Sequence, residues 1–225
     1  MIPRILTPEQ RPAWQALLAR AVKSTDELLT LLQIDPAELK TRPLTDNFPL
    51  RVPHAFVARM HRGDSNDPLL LQVLPVQQET QETADFLHDP LAELDAMPVP
   101  GLLHKYRGRA LLAVTGACAV HCRYCFRRHF PYAEANPVTG YWQQSTEYIR
   151  QHTDITEVIL SGGDPLTLTD ARLQSLAGQL ATIEHLHTLR IHSRLPVVLP
   201  DRVDENLLSW LGAQRLKVVM VIHCN

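Results

Sequence analysis

From Arg109 onward the chain repeats one rhythm: a short apolar run, a loop, a helical stretch, then the next apolar run. The runs fall at 109–115, 157–160, 188–192 and 217–223, and helical spacing falls at 142–152, 169–182 and 204–214. Strands covered on both faces read as continuous apolar runs rather than as alternating ones. Parallel neighbours need a crossover long enough to hold a helix, and such crossovers are right-handed. The rhythm therefore predicts an α/β fold with four parallel βα units. Four units do not close a barrel, and a last strand at 217–223 would be left as an edge. The expectation is a partial (βα) barrel from a chain truncated after its fourth strand. An open four-stranded sheet is the alternative.

The first hundred residues read differently, as a helical extension punctuated by proline. Thr7-Pro8-Glu9-Gln10 supplies an N-cap, a proline at the first helical position and a capping glutamine. Ser24-Thr25-Asp26-Glu27, Asp35-Pro36 and Val52-Pro53 open further short helices. Residues 69–73 are expected to be extended, and 86–97 to be helical. The domain division predicted is 1–100 for the extension and 101–225 for the barrel segment.

Composition excludes several classes. There are 22 Lys and Arg against 24 Asp and Glu, a net charge of −2, which is no nucleic-acid footprint. Hydrophobic residues make up 45%, enough for a packed core. No run approaches the roughly 20 apolar residues of a membrane span, and no apolar signal core opens the chain. A cytoplasmic location is the expectation. Of four cysteines, three crowd together as Cys118, Cys122 and Cys125, which is not how a disulfide scaffold spreads its cysteines.

C-x3-C-x2-C in the loop after the first strand places three thiolates at a strand's C-terminal end, where sites gather in parallel α/β folds. Three close thiolates repel one another unless a metal neutralises them. Iron–sulfur clusters normally take four cysteines, so three leave one iron open to a ligand. Zinc is the alternative, with His121, His129 or Cys224 as fourth ligand; inert buried cysteines are the other. Ser161-Gly162-Gly163-Asp164-Pro165 follows the second run, and reads as a ligand-approach loop or a plain βα turn. Lys105, Tyr106 and Arg109 read locally as a solvated charge cluster and Arg128 and His129 as a solvated loop, while His192, Arg194 and His223 read as strand-end residues and Cys224 as a buried small strand residue.

With Tyr124 before its last cysteine, the triad resembles the radical S-adenosylmethionine (SAM) signature. Val99-Pro100-Gly101-Leu102, Tyr106, Arg109, the run 111–115 and Cys125-Phe126-Arg127-Arg128 resemble the lysine 2,3-aminomutase family. Asn66-Asp67-Pro68 and Asp89-Pro90-Leu91-Ala92-Glu93 fit the same family. Trp14 and Glu27-Leu28-Leu29 look most like its branch that makes β-lysine for elongation factor P.

The resemblance implies a radical SAM barrel and an isomerase that turns lysine into β-lysine by amino migration. It implies a [4Fe-4S] cluster on Cys118, Cys122 and Cys125, with SAM bordered by Tyr124, Gly162, Gly163, Asp164, Arg194 and His223. It implies pyridoxal phosphate (PLP), its phosphate on Tyr106 and Arg109, and a substrate carboxylate on Arg127. A reductant protein and an elongation factor P-modifying ligase are the implied partners, and an oligomer is compatible. None of Lys23, Lys40, Lys105 and Lys217 matches the family's PLP-anchoring lysine. A chain ending at Asn225 is therefore expected to keep its cluster but to lack aminomutase activity. The alternatives are an aminomutase for glutamate or arginine, and a zinc-stabilised binding module.

Overall fold

The computed structural model describes residues 13–41, 43, 49–81, 84, 87–135 and 141–224. They form two compact units. One comprises 1–84, 119–125 and 198–201; the other comprises 85–118, 126–197 and 202–225. The division thus differs from an extension that ends at residue 100. Residues 85–100 belong with the sheet, and 119–125 belong with the N-terminal residues.

The first unit contains α1 (Ala13–Ala19), α2 (Thr25–Leu32) and α3 (His54–Val57). The Thr7-Pro8 start lies outside the described residues. α1 buries Trp14 and Leu18. α2 starts where expected, because Ser24 accepts the Glu27 N–H at 3.1 Å and satisfies one orphan donor of the first turn. Val22 leaves the helix and pairs antiparallel with Val52. Residues 69–73 are not extended: Leu70–Gln72 form a 3₁₀ turn. Asp67 drives this, its buried Oδ1 accepting the Leu69 and Leu70 N–H groups at 2.8 and 3.0 Å.

The second unit is built on a five-stranded sheet in the order β1 (Leu102–Tyr106), β2 (Arg109–Thr115), β3 (Glu157–Gly162), β4 (Thr188–Ser193) and β5 (Lys217–Ile222). β2 to β5 run parallel, on the four apolar runs of the sequence. β1 is an addition. It pairs antiparallel with β2 through a two-residue turn at Arg107-Gly108, so the sheet is mixed rather than purely parallel. Its polar half, His104-Lys105-Tyr106, hides it from a search for apolar runs. Gly108 has φ +83°, a conformation that hairpin turns require and glycine takes without strain.

α4 (Tyr132–Ala135), α5 (Tyr141–Gln151), α6 (Asp170–Ala181), α7 (Leu195–Val198) and α8 (Glu205–Gly212) complete the unit. Thr169 and Asp204 cap α6 and α8, which bury Leu173, Leu176, Ala177 and Leu180, and Leu207 and Trp210. No helix among the described residues is long and apolar enough to cross a membrane.

The expected helix at 86–97 is absent among its described residues apart from a 3₁₀ turn at Leu94–Ala96. Asp89 explains the break. Its carboxylate accepts the Glu93 and Leu94 N–H groups at 3.0 and 3.1 Å, replacing the helical partners of those donors. Between them Ala92 sits at φ +49°, a conformation costing an L-residue about 1–2 kcal/mol. Ala92→Gly is expected to stabilise the protein by about 0.5–1 kcal/mol, after allowing for glycine's looser unfolded state. Denaturant unfolding measures this; a loss of stability would show that Ala92 does not hold that conformation.

Candidate active site

The C-terminal tips of β2, β3 and β4 are fastened to one another beyond the ends of the ladders. Gly163 N–H donates to Thr115 O at 2.7 Å and Asp164 N–H to Ala117 O at 2.8 Å. A Cβ on Gly162 would stand 2.5 Å from Thr115 O, and one on Gly163 would stand 2.3 Å from Ala117 O. Gly162 also has φ +110°. Both glycines are thus required by the approach of one loop to another. The N–H donors of Gly163 and Asp164 are thus already used within the fold.

Asp164 is committed within the fold in the same way. Its carboxylate is buried. Oδ1 accepts the Leu166 N–H at 3.0 Å and the Ser193 hydroxyl at 2.7 Å. Oδ2 accepts the Arg194 and Leu195 N–H groups at 2.9 and 3.0 Å. Burial pushes the carboxyl above its ordinary range, and these four hydrogen bonds oppose that rise. The side chain bolts the β3 tip to the β4 tip.

At the neighbouring tips His192 and His223 meet edge to face, their ring centroids 5.7 Å apart. Burial holds His192 below the usual imidazole range, helped by His223, Arg190 and Arg127. His223 N–H donates to Ser193 O at 3.0 Å. Arg194 is buried. The structure therefore gathers Gly162, Gly163, Asp164 and Arg194 around one pair of strand tips, and sets His223 beside the second.

Arg127 is also more committed than its sequence context suggests. It is buried, and so is Glu93. Nε donates to Glu93 Oε2 at 2.8 Å and Nη2 to Oε1 at 2.6 Å, a two-pronged pair. Nη1 donates to Ser161 Oγ at 2.9 Å. The guanidinium carbon lies 4.9 Å from the Phe126 ring centroid. In the sequence Glu93 stands at the end of the Asp89-Pro90-Leu91-Ala92-Glu93 motif and Ser161 at the start of the Gly-Gly turn, far from Arg127 in both cases. The buried partner of a buried arginine has no local signature.

Glu93 also lines a cavity of about 180 Å³ beside β1 and β2. Lys105, Tyr106 and Arg109 line it as well, with an apolar remainder that includes Leu103, Leu111 and Ile159. Two cations and a phenol suit a phosphate, and the apolar part suits a flat ring. Lys105, given no role by the sequence, comes to the same cavity as Tyr106 and Arg109 because β1 folds back on β2.

The cysteine segment spans both units: Cys118 falls in the sheet unit, Cys122 and Cys125 in the other. Within the latter, His121 N–H donates to Arg51 O at 3.0 Å and Arg123 N–H to Gln72 O at 2.8 Å. The Arg123 side chain pairs with Glu79. Cys125 N–H closes a turn onto Cys122 O at 3.1 Å. Tyr124 is about half exposed. None of the four cysteines is in a disulfide, and the triad is half-buried. Three thiols of that kind suit an iron–sulfur cluster as donors. Among the described residues no three His, Cys, Asp or Glu side chains are gathered at metal-binding distances.

A family profile described as a 4Fe-4S single cluster domain matches residues 107–188, which contain the three cysteines and the Gly-Gly-Asp turn. That stretch is similar to an iron–sulfur cluster domain. L-lysine 2,3-aminomutase of Escherichia coli is 48% identical over 222 residues, 98% of this chain and 65% of that protein. The Buchnera aphidicola protein of that name is 40% identical over 100% of this chain and 67% of its own length. That of Haemophilus influenzae is 43% identical over 94% and 63%. The chain spans about two thirds of the length of these relatives, and it belongs to the L-lysine 2,3-aminomutase family.

Proposed function

We propose that this protein is a radical SAM isomerase that converts L-lysine to β-lysine by moving the amino group from carbon 2 to carbon 3. We further propose PLP as its second cofactor and elongation factor P modification as the use of its product. The observation that carries the reading is the 48% identity over 98% of this chain to a protein named for that reaction. The cavity that joins Lys105, Tyr106 and Arg109 supports the PLP part.

In this reading Cys118, Cys122 and Cys125 hold a [4Fe-4S] cluster within a partial radical SAM barrel. The strand-tip turn with Gly162, Gly163, Asp164 and Arg194, together with Tyr124 and His223, borders SAM. When bound, these groups supply a carbon radical from SAM and a conjugated ring that spreads an unpaired electron. The chain's own residues position and shield. Arg109 and Lys105 neutralise the phosphate and Tyr106 donates its hydroxyl to it. Arg127 binds the substrate carboxylate. Asp164 keeps the β3 and β4 tips in register, and the apolar cavity wall excludes water from the reacting carbon.

The test is anaerobic reconstitution of the full-length protein with iron and sulfide, followed by assay with SAM, PLP, reductant and lysine. The expected result is a brown protein absorbing near ~400 nm that forms β-lysine but no β-amino acid from glutamate or arginine. A colourless protein with stoichiometric zinc, or turnover of glutamate or arginine alone, would overturn the reading.

A further inference from the structure

Arg127 and Glu93 lie 34 residues apart in sequence and meet through both carboxylate oxygens. Such a pair is commonly read as structural cement. Three features point elsewhere. First, among the described residues Glu93 is the one acidic residue lining a cavity that also presents Lys105, Tyr106 and Arg109. Secondly, Glu93 is held from its own side. Asp89 accepts its N–H at 3.0 Å, and Ala92 before it takes φ +49°, so the backbone accepts a disfavoured conformation where the side chain turns inward. Thirdly, the pair does not exhaust the guanidinium. Glu93 engages Nε and Nη2, and Ser161 Oγ engages Nη1 at 2.9 Å. Of the five N–H donors of an arginine, one on each Nη is not used by these bonds.

We propose that Glu93 is a positioning residue: it fixes the Arg127 guanidinium so that its two remaining Nη donors are set for the carboxylate of the amino-acid substrate. The assignment rests on the reading of Arg127 as the carboxylate-binding group. An arginine on a long flexible stem loses rotamer freedom when it grips an anion. A carboxylate that already locks the fork meets that cost in advance. Glu93 also neutralises the buried guanidinium before substrate arrives, so no lone charge is left buried at Arg127. Ser161 sits on the opposite prong and resists rotation about the Nε–Cζ axis.

The role predicts a selective defect. The experiment measures binding of lysine and of cadaverine, which is lysine without its carboxylate, by calorimetry to the full-length protein loaded with PLP. In the native protein lysine is expected to bind the more tightly. Glu93→Gln is expected to weaken lysine binding about tenfold and to leave cadaverine within about twofold. Arg127→Met is expected to lose the preference for lysine, and adding Glu93→Gln to it is expected to change neither ligand further, because the residues act through one contact. Thermal unfolding of each variant runs alongside. If Glu93→Gln does not fold, Glu93→Asp keeps the charge but withdraws it by one methylene, and the same selective loss is expected. Equal weakening of both ligands, or no change in either, would overturn the proposal while leaving lysine as substrate. A native protein that binds lysine no better than cadaverine would overturn the carboxylate role of Arg127 itself, and Glu93's with it.

Discussion

Asp164→Ala is expected to lower stability by about 3–5 kcal/mol, which places it among the most damaging single substitutions in the chain. Four donors now end on that carboxylate: the N–H groups of Leu166, Arg194 and Leu195, and the hydroxyl of Ser193. Removing it leaves buried donors without an acceptor, each at about 1–3 kcal/mol when nothing replaces it. Asp164→Asn keeps the volume and one acceptor oxygen, so its loss is expected to be about half as large. Because a typical domain is stable by only about 5–15 kcal/mol, the alanine variant would lie near the limit of folding. Denaturant unfolding gives the number. A change in the alanine variant below about 1 kcal/mol would show that the carboxylate is not the bolt between the strand tips. In that event its expected contact with SAM would become the better explanation of its presence.

The second large effect is expected from the cysteines, and it is chemical rather than structural. Cys122→Ala is expected to abolish the brown chromophore and to reduce SAM cleavage to background, with a stability change within about 1 kcal/mol. The small structural cost follows from the segment's own bonds. His121 and Arg123 fasten it to Arg51 and Gln72 through the backbone, and Arg123 to Glu79 through its side chain. A structural zinc site would behave in the opposite way, since the metal then supplies much of the folding free energy. Loss of folding with Cys122→Ala would therefore favour zinc. Cys224 is exposed beyond the end of β5 rather than buried in a strand, and it is expected to tolerate alanine with colour and cleavage intact. Reading iron, absorbance and unfolding on the same samples separates the two accounts.

Much of the sheet was legible in the sequence because its strands are runs of apolar residues, although β3 is buried almost throughout, β4 on one face, and β5 at no residue. The four runs at 109–115, 157–160, 188–192 and 217–223 became β2 to β5 within a residue or two at their ends. Helix starts were equally legible: the stretches expected to open at 24, 169 and 204 do so on Ser24, Thr169 and Asp204, which each accept an N–H from the first helical turn. Such signals are local, because the donor lies only three residues away. The failures were also physical. The strand β1 is half polar and lies at the sheet's end, so it shows no run. The helix expected at 86–97 was lost to Asp89, whose side chain competes with helical bonding in a way that periodicity does not register. In the candidate site the residue types were readable, but several of their partners were not.

The sequence by itself determined the strands, most of the helix starts and the spacing of Cys118, Cys122 and Cys125, because all of these depend on neighbours within a few residues. Only the tertiary structure decided what Asp164 and Arg127 touch. Their partners lie 29 and 34 residues away, Ser193 for the first and both Glu93 and Ser161 for the second. It also decided that Gly162 and Gly163 serve a loop-to-loop contact, and that Lys105, Tyr106 and Arg109 share a cavity with Glu93. A carboxylate, a guanidinium or a glycine has the same intrinsic chemistry wherever it stands. Its role is fixed by which donor or acceptor the folded backbone carries to within 3 Å, and no local pattern records that distance.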